Sequence, residues 1–141
     1  MTHPLPHVET EPCWVQRLCL HNFRNYASLE LEAARDPVVL TGQNGAGKTN
    51  ILEALSLLNP NKGIRRATVP QLQNFHHPEQ PWAINTHLRR GEDYSQINMG
   101  IDLQTPKKKI LKINGTLTPK SGLLEHVIVL WCTPFMDQIF V

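Results

Sequence analysis

The sequence predicts an α/β fold built around a mixed sheet, and two features carry this prediction. Residues 38–41 have the composition of a short buried strand, and a run of apolar residues at helical spacing follows at residues 51–58. Between residues 82 and 118, alternating polar and apolar runs separated by turns predict a β-meander. A strand–helix unit beside a meander indicates a sheet with both parallel and antiparallel strands.

Length and composition fit one folded domain. The chain has 141 residues, of which 40% are hydrophobic and 18% charged, so it should bury a core and is unlike a disordered tail. The net charge of +2 neither argues for a nucleic-acid partner nor excludes a local basic surface. No apolar run reaches the roughly 18 residues that a membrane span requires.

The cysteine pattern predicts free thiols. The three cysteines are odd in number and have no C-x-x-C spacing, so we expect buried, reduced thiols in a cytoplasmic protein: Cys13, Cys19 and Cys132.

Residues 42–49 read Gly42-x-x-x-x-Gly47-Lys48-Thr49 between the predicted strand and the predicted helix, which is the pattern of a phosphate-binding loop. Backbone N–H groups there can curl around phosphate oxygens at the positive end of a helix. Lys48 would reach the β- and γ-phosphates of ATP, and the Thr49 hydroxyl would bind Mg²⁺. The predicted nucleotide-binding residues are Gly42, Gln43, Asn44, Gly45, Ala46, Gly47, Lys48, Thr49 and Asn50.

A β-hairpin should precede this loop. We expect residues 1–13 to form a flexible leader, because they are rich in proline and have little to bury. Val15, Leu18 and Leu20 lie in a strand-like run, and residues 28–32 alternate polar with apolar. The hairpin should turn at residues 23–26.

The helix after the loop should run over residues 47–58, and residues 60–81 should be mostly loop with a short helical turn at 71–75. Lys62, Arg65 and Arg66 cluster at the start of this loop. A solvated surface and a contact to DNA or nucleotide phosphates remain equally open for them.

The meander should contain strands at residues 82–89 and 94–103, a turn at 105–109, and a strand at 110–113. Asn114-Gly115 favours a tight hairpin turn with residues 116–118 returning. The lysines at 107–109 would lie at a hairpin tip, either solvated or on DNA. Further on, we expect a short helix at 123–125, a strand at 127–131 buried on both faces, and a helix beginning at 134.

The motifs resemble those of the RecF family. "L-x-L-x-N-F-R-N-Y" at residues 18–26, followed by "L-T-G-Q-N-G-A-G-K-T-N-I-L-E-A-L", is similar to the start of these bacterial DNA replication and repair ATPases. The resemblance implies that residues 14–141 are the N-terminal lobe of an ABC/SMC-type P-loop ATPase head, incomplete because it stops before the signature motif and the Walker B acid.

The same resemblance implies a function and partners. RecF-like proteins bind single-strand/double-strand DNA junctions in an ATP-dependent manner during recombinational repair and replication restart. They form homodimers on ATP binding and act with RecO- and RecR-type recombination mediators. These properties are expectations for the intact protein.

Two other functions stay open. The first is a nucleotide or small-molecule kinase of the P-loop class, which would need a lid with arginines and an acidic strand end. The second is a truncated remnant without ATPase activity. The predicted strand at 127–131 ends in Cys132-Thr133 without an acid, so no catalytic residue is predicted within these 141 residues.

Overall fold

A computed structural model describes residues 11–133, which form one six-stranded sheet with a helix packed against it. Two short 3₁₀ helices lie at Val69–Leu72 and Lys120–Glu125. The other elements are β1 (Cys13–Phe23), β2 (Tyr26–Glu32), α1 (Lys48–Ser56), β3 (Ala83–Arg90), β4 (Asp93–Asp102), β5 (Thr105–Ile113) and β6 (Thr116–Leu117). The strand order is β2-β1-β3-β4-β5-β6, and every neighbouring pair is antiparallel.

The predicted N-terminal hairpin is confirmed. Leu20 of β1 pairs with Leu29 of β2, and Phe23 pairs with Tyr26, which leaves a two-residue turn. Arg24 in this turn has a φ of 53°, a backbone conformation that two-residue hairpin turns require. The turn is therefore fixed by backbone geometry as well as by the alternation of apolar residues.

The predicted meander is also confirmed. Strands β3 and β4 pair in continuous register, and β4 pairs with β5 through Ile97 and Ile113. Asn114 and Gly115 have φ values of 50° and 81°, which is the type I′ geometry that the Asn-Gly pair predicts.

The core lies between one face of the sheet and the apolar side of α1. Phe23 and Trp82 meet edge to face with ring centroids 6.0 Å apart, and both are fully buried. Ala54 of α1 is equally buried and belongs to the same apolar cluster. Burial of this apolar surface is the main force holding the helix on the sheet.

The sheet of the described chain is antiparallel, so the prediction of a mixed sheet is wrong for these residues. Residues 38–41 form no strand, and Val39 is 81% exposed. Residues 127–131 form no strand either, and Leu130 is 90% exposed. A buried strand needs neighbours for its backbone groups, and no strand within residues 11–133 pairs with either segment.

The lysine segment lies in a strand and not in a turn. Strand β5 begins at Thr105, which pairs with Asp102, so the turn falls at Leu103 and Gln104. The register then shifts by a β-bulge before Lys109 pairs with Ile101. The bulge accommodates the extra residues, which the sequence pattern had assigned to the loop.

Smaller predictions are met to different degrees. The helix after the glycine-rich loop ends at Ser56, two residues before its predicted end. The helical turn expected at 71–75 lies at Val69–Leu72, where Thr68 and Gln71 form a capping box. The short helix near 123–125 is confirmed. The leader, apart from its last three residues, and the helix predicted from 134 lie outside the described residues.

The cysteines are free, as predicted, but they are not buried. Cys13 and Cys132 are exposed, and Cys19 is half-buried. Cys132 lies in the unpaired segment, which explains its exposure. No helix within residues 11–133 is long and apolar enough to cross a membrane.

The partly buried Lys109 ammonium should make the free energy of unfolding depend on pH. Partial burial, together with the nearby Lys120, lowers the pKa of Lys109 to about 8. The unfolded chain keeps this proton up to about pH 10.4. Above pH 8 the unfolded state therefore binds more protons, and the free energy of unfolding should rise with pH.

Urea unfolding at pH 7.5 and 9.5 should show this rise in the wild type and a smaller rise in Lys109→Met. The matched control is Lys112→Met on the same strand, because Lys112 is exposed. An identical pH dependence in wild type and Lys109→Met would contradict the prediction.

Candidate nucleotide-binding site

The glycine-rich loop opens directly onto the N-terminus of α1. Gly47 has a φ of 101° and caps the helix, and its carbonyl accepts the N–H groups of Asn50 and Ile51. The N–H groups of Lys48 and Thr49 precede these bonds and point ahead of the helix axis. Such groups, at the positive end of the helix dipole, can donate to phosphate oxygens.

The Lys48 side chain lies across the phosphate-binding loop. The Lys48 ammonium donates to the Gly42 carbonyl, so the side chain folds back across the loop. Thr49 is exposed at the start of α1. A hydroxyl oxygen there is a suitable donor for Mg²⁺, although it would need further oxygen ligands.

The β1–β2 hairpin supports the loop from below. The Asn25 amide and the Tyr26 hydroxyl both lie within hydrogen-bond distance of the Ala46 carbonyl, at 3.4 and 3.3 Å. A β-carbon at position 47 would lie 2.5 Å from the Asn25 amide nitrogen and 2.6 Å from the Tyr26 hydroxyl. Glycine is therefore required at this position, both for its positive φ and for this close approach.

A buried carboxylate ties the same hairpin to α1. Glu53 is 1% exposed, and both of its oxygens accept from the Arg24 guanidinium, at 2.7 and 2.9 Å. This bidentate geometry is the strongest form of a side-chain ion pair. Since Arg24 lies in the hairpin turn, the pair fixes the position of α1 relative to the hairpin.

This network includes Arg65 but not Lys62 or Arg66, the other two residues of the predicted basic cluster. Arg65 donates to Asn50 at 2.5 Å and to Glu53 at 3.2 Å, so it joins the loop after α1 to the helix. Lys62 and Arg66 are exposed and form no ion pair within residues 11–133. Of the three residues, Arg65 therefore has a structural role.

The nine predicted nucleotide-binding residues run from the loop into the first turn of α1, and all are exposed or half-buried. The exception in orientation is the Asn50 side chain, which donates to Asn25 at 2.7 Å and accepts from Arg65. It contacts the supporting hairpin and not the mouth of the loop.

Four supporting residues were not predicted as part of the site: Arg24, Asn25, Tyr26 and Glu53. One sequence signal was available, because Glu53 is a lone acid between apolar residues of the predicted helix. A carboxylate in such a position needs a cation, and the hairpin turn supplies one.

Comparisons with known proteins agree with this geometry. A family model described as AAA domain matches residues 17–59, from β1 to the residues just after α1. The DNA replication and repair protein RecF of Rhizobium rhizogenes is 43% identical over 90% of this chain, and that of Mesorhizobium japonicum is 38% identical over 89%. The chain resembles the N-terminal third of RecF. It spans about a third of the length of these curated relatives, at 34% of each.

Solved structures show the same relation. A structure of the recombination mediator protein RecF in the RecFOR pathway matches 94% of this chain and 35% of its own, with a TM-score of 0.79 and 25% identity. A structure from SMC ATPases matches 89% of this chain and 96% of its own, at a TM-score of 0.66 and 16% identity. The fold is that of the N-terminal part of RecF-like and SMC-type ATPase heads.

The buried ion pair predicts a large stability effect. Glu53→Ala leaves the Arg24 guanidinium without its carboxylate in a largely buried site, and should lower the free energy of unfolding by about 3–5 kcal/mol. Urea unfolding measures this change. The control is Glu30→Ala, which breaks an exposed pair with Arg17 and should have a much smaller effect, because solvent screens such pairs. Equal effects of the two substitutions would contradict the assigned role of Glu53.

Proposed function

We propose that this chain forms the nucleotide-binding part of an ATP-dependent DNA-binding protein of recombinational repair and replication restart. The single observation that carries the proposal is the Gly42–Thr49 loop at the N-terminus of α1, supported by the hairpin of the "N-F-R-N-Y" motif. Many ATPases have such a loop. The similarity to RecF extends over the supporting hairpin as well as the loop, so it is more specific than the loop alone.

ATP is the proposed ligand, with Mg²⁺ as its counterion. The N–H groups at the start of α1 would donate to the β- and γ-phosphates, and Lys48 would leave the Gly42 carbonyl to add a positive charge. Thr49 would offer its hydroxyl to Mg²⁺. The buried pair of Arg24 and Glu53 contributes indirectly, because it holds α1 against the hairpin.

The macromolecular partners are proposed from the same relation to RecF. The intact protein would bind DNA at single-strand/double-strand junctions, form a homodimer on ATP binding, and work with RecO- and RecR-type mediators in the cytoplasm. Lys62 and Arg66 remain candidate DNA contacts because they are exposed and unpaired within the described chain. Arg65 is a weaker candidate, since its guanidinium is engaged by Asn50 and Glu53.

The kinase alternative receives no support from the site. A kinase would carry a lid with arginines beside the loop, whereas the arginines near α1 form the supporting network around Glu53. The alternative of a remnant without ATPase activity differs from the main proposal only in ATP hydrolysis, so a phosphate-release assay distinguishes the two.

The nucleotide proposal predicts that Lys48→Ala weakens ATP binding. Removing a charged hydrogen-bond donor costs about 1.5–3 kcal/mol, which corresponds to a roughly 10- to 100-fold lower affinity. Isothermal titration of ATP with Mg²⁺ into the 141-residue chain measures it, and Lys112→Ala is the control because Lys112 lies on the far strand β5. Equal affinities of wild type and Lys48→Ala would refute the assignment of the loop.

The chain as it stands should not turn ATP over. Cys132 and Thr133 directly follow residues 127–131, and Asp137 comes several residues too late in the sequence to hold Mg²⁺ or to orient the attacking water. Positioning and electrostatics supply nearly all catalysis of phosphoryl transfer. A phosphate-release assay should give the same background for wild type and Lys48→Ala. Steady turnover in the wild type alone would show that the catalytic site is complete within these residues.

A further inference from the structure

A second basic surface lies far along the sheet from the phosphate-binding loop, on strand β5. Its cavity of about 780 Å³ lies between β5 and the residues that lead into the 3₁₀ helix Lys120–Glu125. Among residues 11–133, the charged residues that line it are all lysines, and we call it the lysine groove: Lys107, Lys108, Lys109 and Lys120.

Two segments form the walls of the groove, β5 on one side and residues 117–120 on the other, and both carry lysine. Lys107, Lys108 and Lys109 belong to β5, while Lys120 begins the 3₁₀ helix on the opposite wall. The β-bulge between Thr105 and Lys109 interrupts the alternation of the strand, so all three β5 lysines line one cavity. Apolar side chains also line the groove, and they include the buried Leu111 and the exposed Leu117.

The positive charge in the groove is uncompensated within the described chain. No aspartate or glutamate lines the cavity, and none of the four lysines forms an ion pair within residues 11–133. The ammonium of Lys109 is partly buried beside that of Lys120, which lowers the pKa of Lys109 to about 8. Like charges held this close are destabilising unless an anion lies between them.

Protection of a sheet edge explains only part of this arrangement. Beyond the two-residue strand β6, the outer side of β5 is an open edge, and lysine, proline and bulges are common means of preventing edge-to-edge association. That role accounts for Pro106, Lys107 and Lys108. It does not account for Lys120 on the opposite wall, or for the partly buried position of Lys109.

We propose that the lysine groove binds the phosphodiester backbone of DNA, as a phosphate site separate from the nucleotide loop. The proposal rests on the proposed DNA-binding function and names a surface for it. Four ammonium groups on two walls suit a chain of successive phosphates, and point-like lysine charges make such contacts without reading sequence. Binding should therefore be independent of base sequence and strongly dependent on salt.

The test measures how DNA affinity depends on salt. Fluorescence anisotropy follows binding of the 141-residue chain to a labelled duplex with a single-strand overhang, between 50 and 200 mM salt. The groove variant carries Lys107→Gln, Lys108→Gln and Lys120→Gln, and it keeps the partly buried Lys109 to protect the fold. The control variant carries Arg35→Gln, Arg89→Gln and Lys112→Gln, which removes the same charge from residues outside the groove.

Log affinity falls with log salt, and this slope should be less steep by up to about 2.7 in the groove variant, because each lost phosphate contact removes about 0.9 from its magnitude. The control variant should keep the wild-type slope. Thermal unfolding by circular dichroism checks that both variants are folded, and if the groove variant unfolds, the Lys107→Gln and Lys108→Gln pair should still lose up to about 1.8.

Four results would overturn the proposal, and they are distinguishable. DNA binding with a wild-type slope in the groove variant would refute the groove alone. Equal decreases of the slope in the groove and control variants would show that general surface charge binds the DNA. No DNA binding by the wild type would refute the proposed function together with the groove. Loss of inorganic tripolyphosphate binding without a change in the DNA slope would make the groove a site for free polyphosphate.

Discussion

The ion pair between Glu53 and Arg24 is the interaction on which the geometry of the candidate site depends. A carboxylate with 1% exposure on a nine-residue helix would be costly alone, and the bidentate guanidinium from the hairpin turn compensates it. The pair therefore links two elements that are distant in sequence, and Arg65 adds the loop after α1 as a third. The phosphate-binding loop lies between the hairpin and the helix, so its shape follows from theirs.

The hairpin positions the loop through side-chain contacts to two residues. Asn25 and Tyr26 reach the Ala46 carbonyl, and their close approach to Gly47 excludes any side chain there. The glycine thus serves two purposes, because its positive φ starts the helix and its missing β-carbon admits the hairpin. This support makes the N–H groups of the first turn available to an anion at a fixed place.

The two basic regions of the chain differ in what surrounds them. Around α1, Arg65 shares the Glu53 carboxylate with Arg24, so this cation joins the loop after α1 to the helix. In the lysine groove, no carboxylate of residues 11–133 lines the cavity, and the charges of Lys109 and Lys120 repel each other. A cation held by a carboxylate contributes to structure, whereas a group of cations without one favours an anionic partner. This contrast separates structural from binding residues better than the count of lysines and arginines does.

The sequence by itself determined the local elements and the loop. Alternation gave the hairpin and the meander, Asn114-Gly115 gave its turn, and the glycine spacing gave the phosphate-binding loop, because each depends on neighbouring residues only. Strand pairing at 38–41 and 127–131 was predicted wrongly, since hydrophobicity marks a strand but cannot supply the neighbour that its backbone requires. The partner of Glu53, the division of the basic cluster and the two walls of the lysine groove were decided only by the tertiary structure. Each of them joins residues from different elements, whose relative position local sequence does not set.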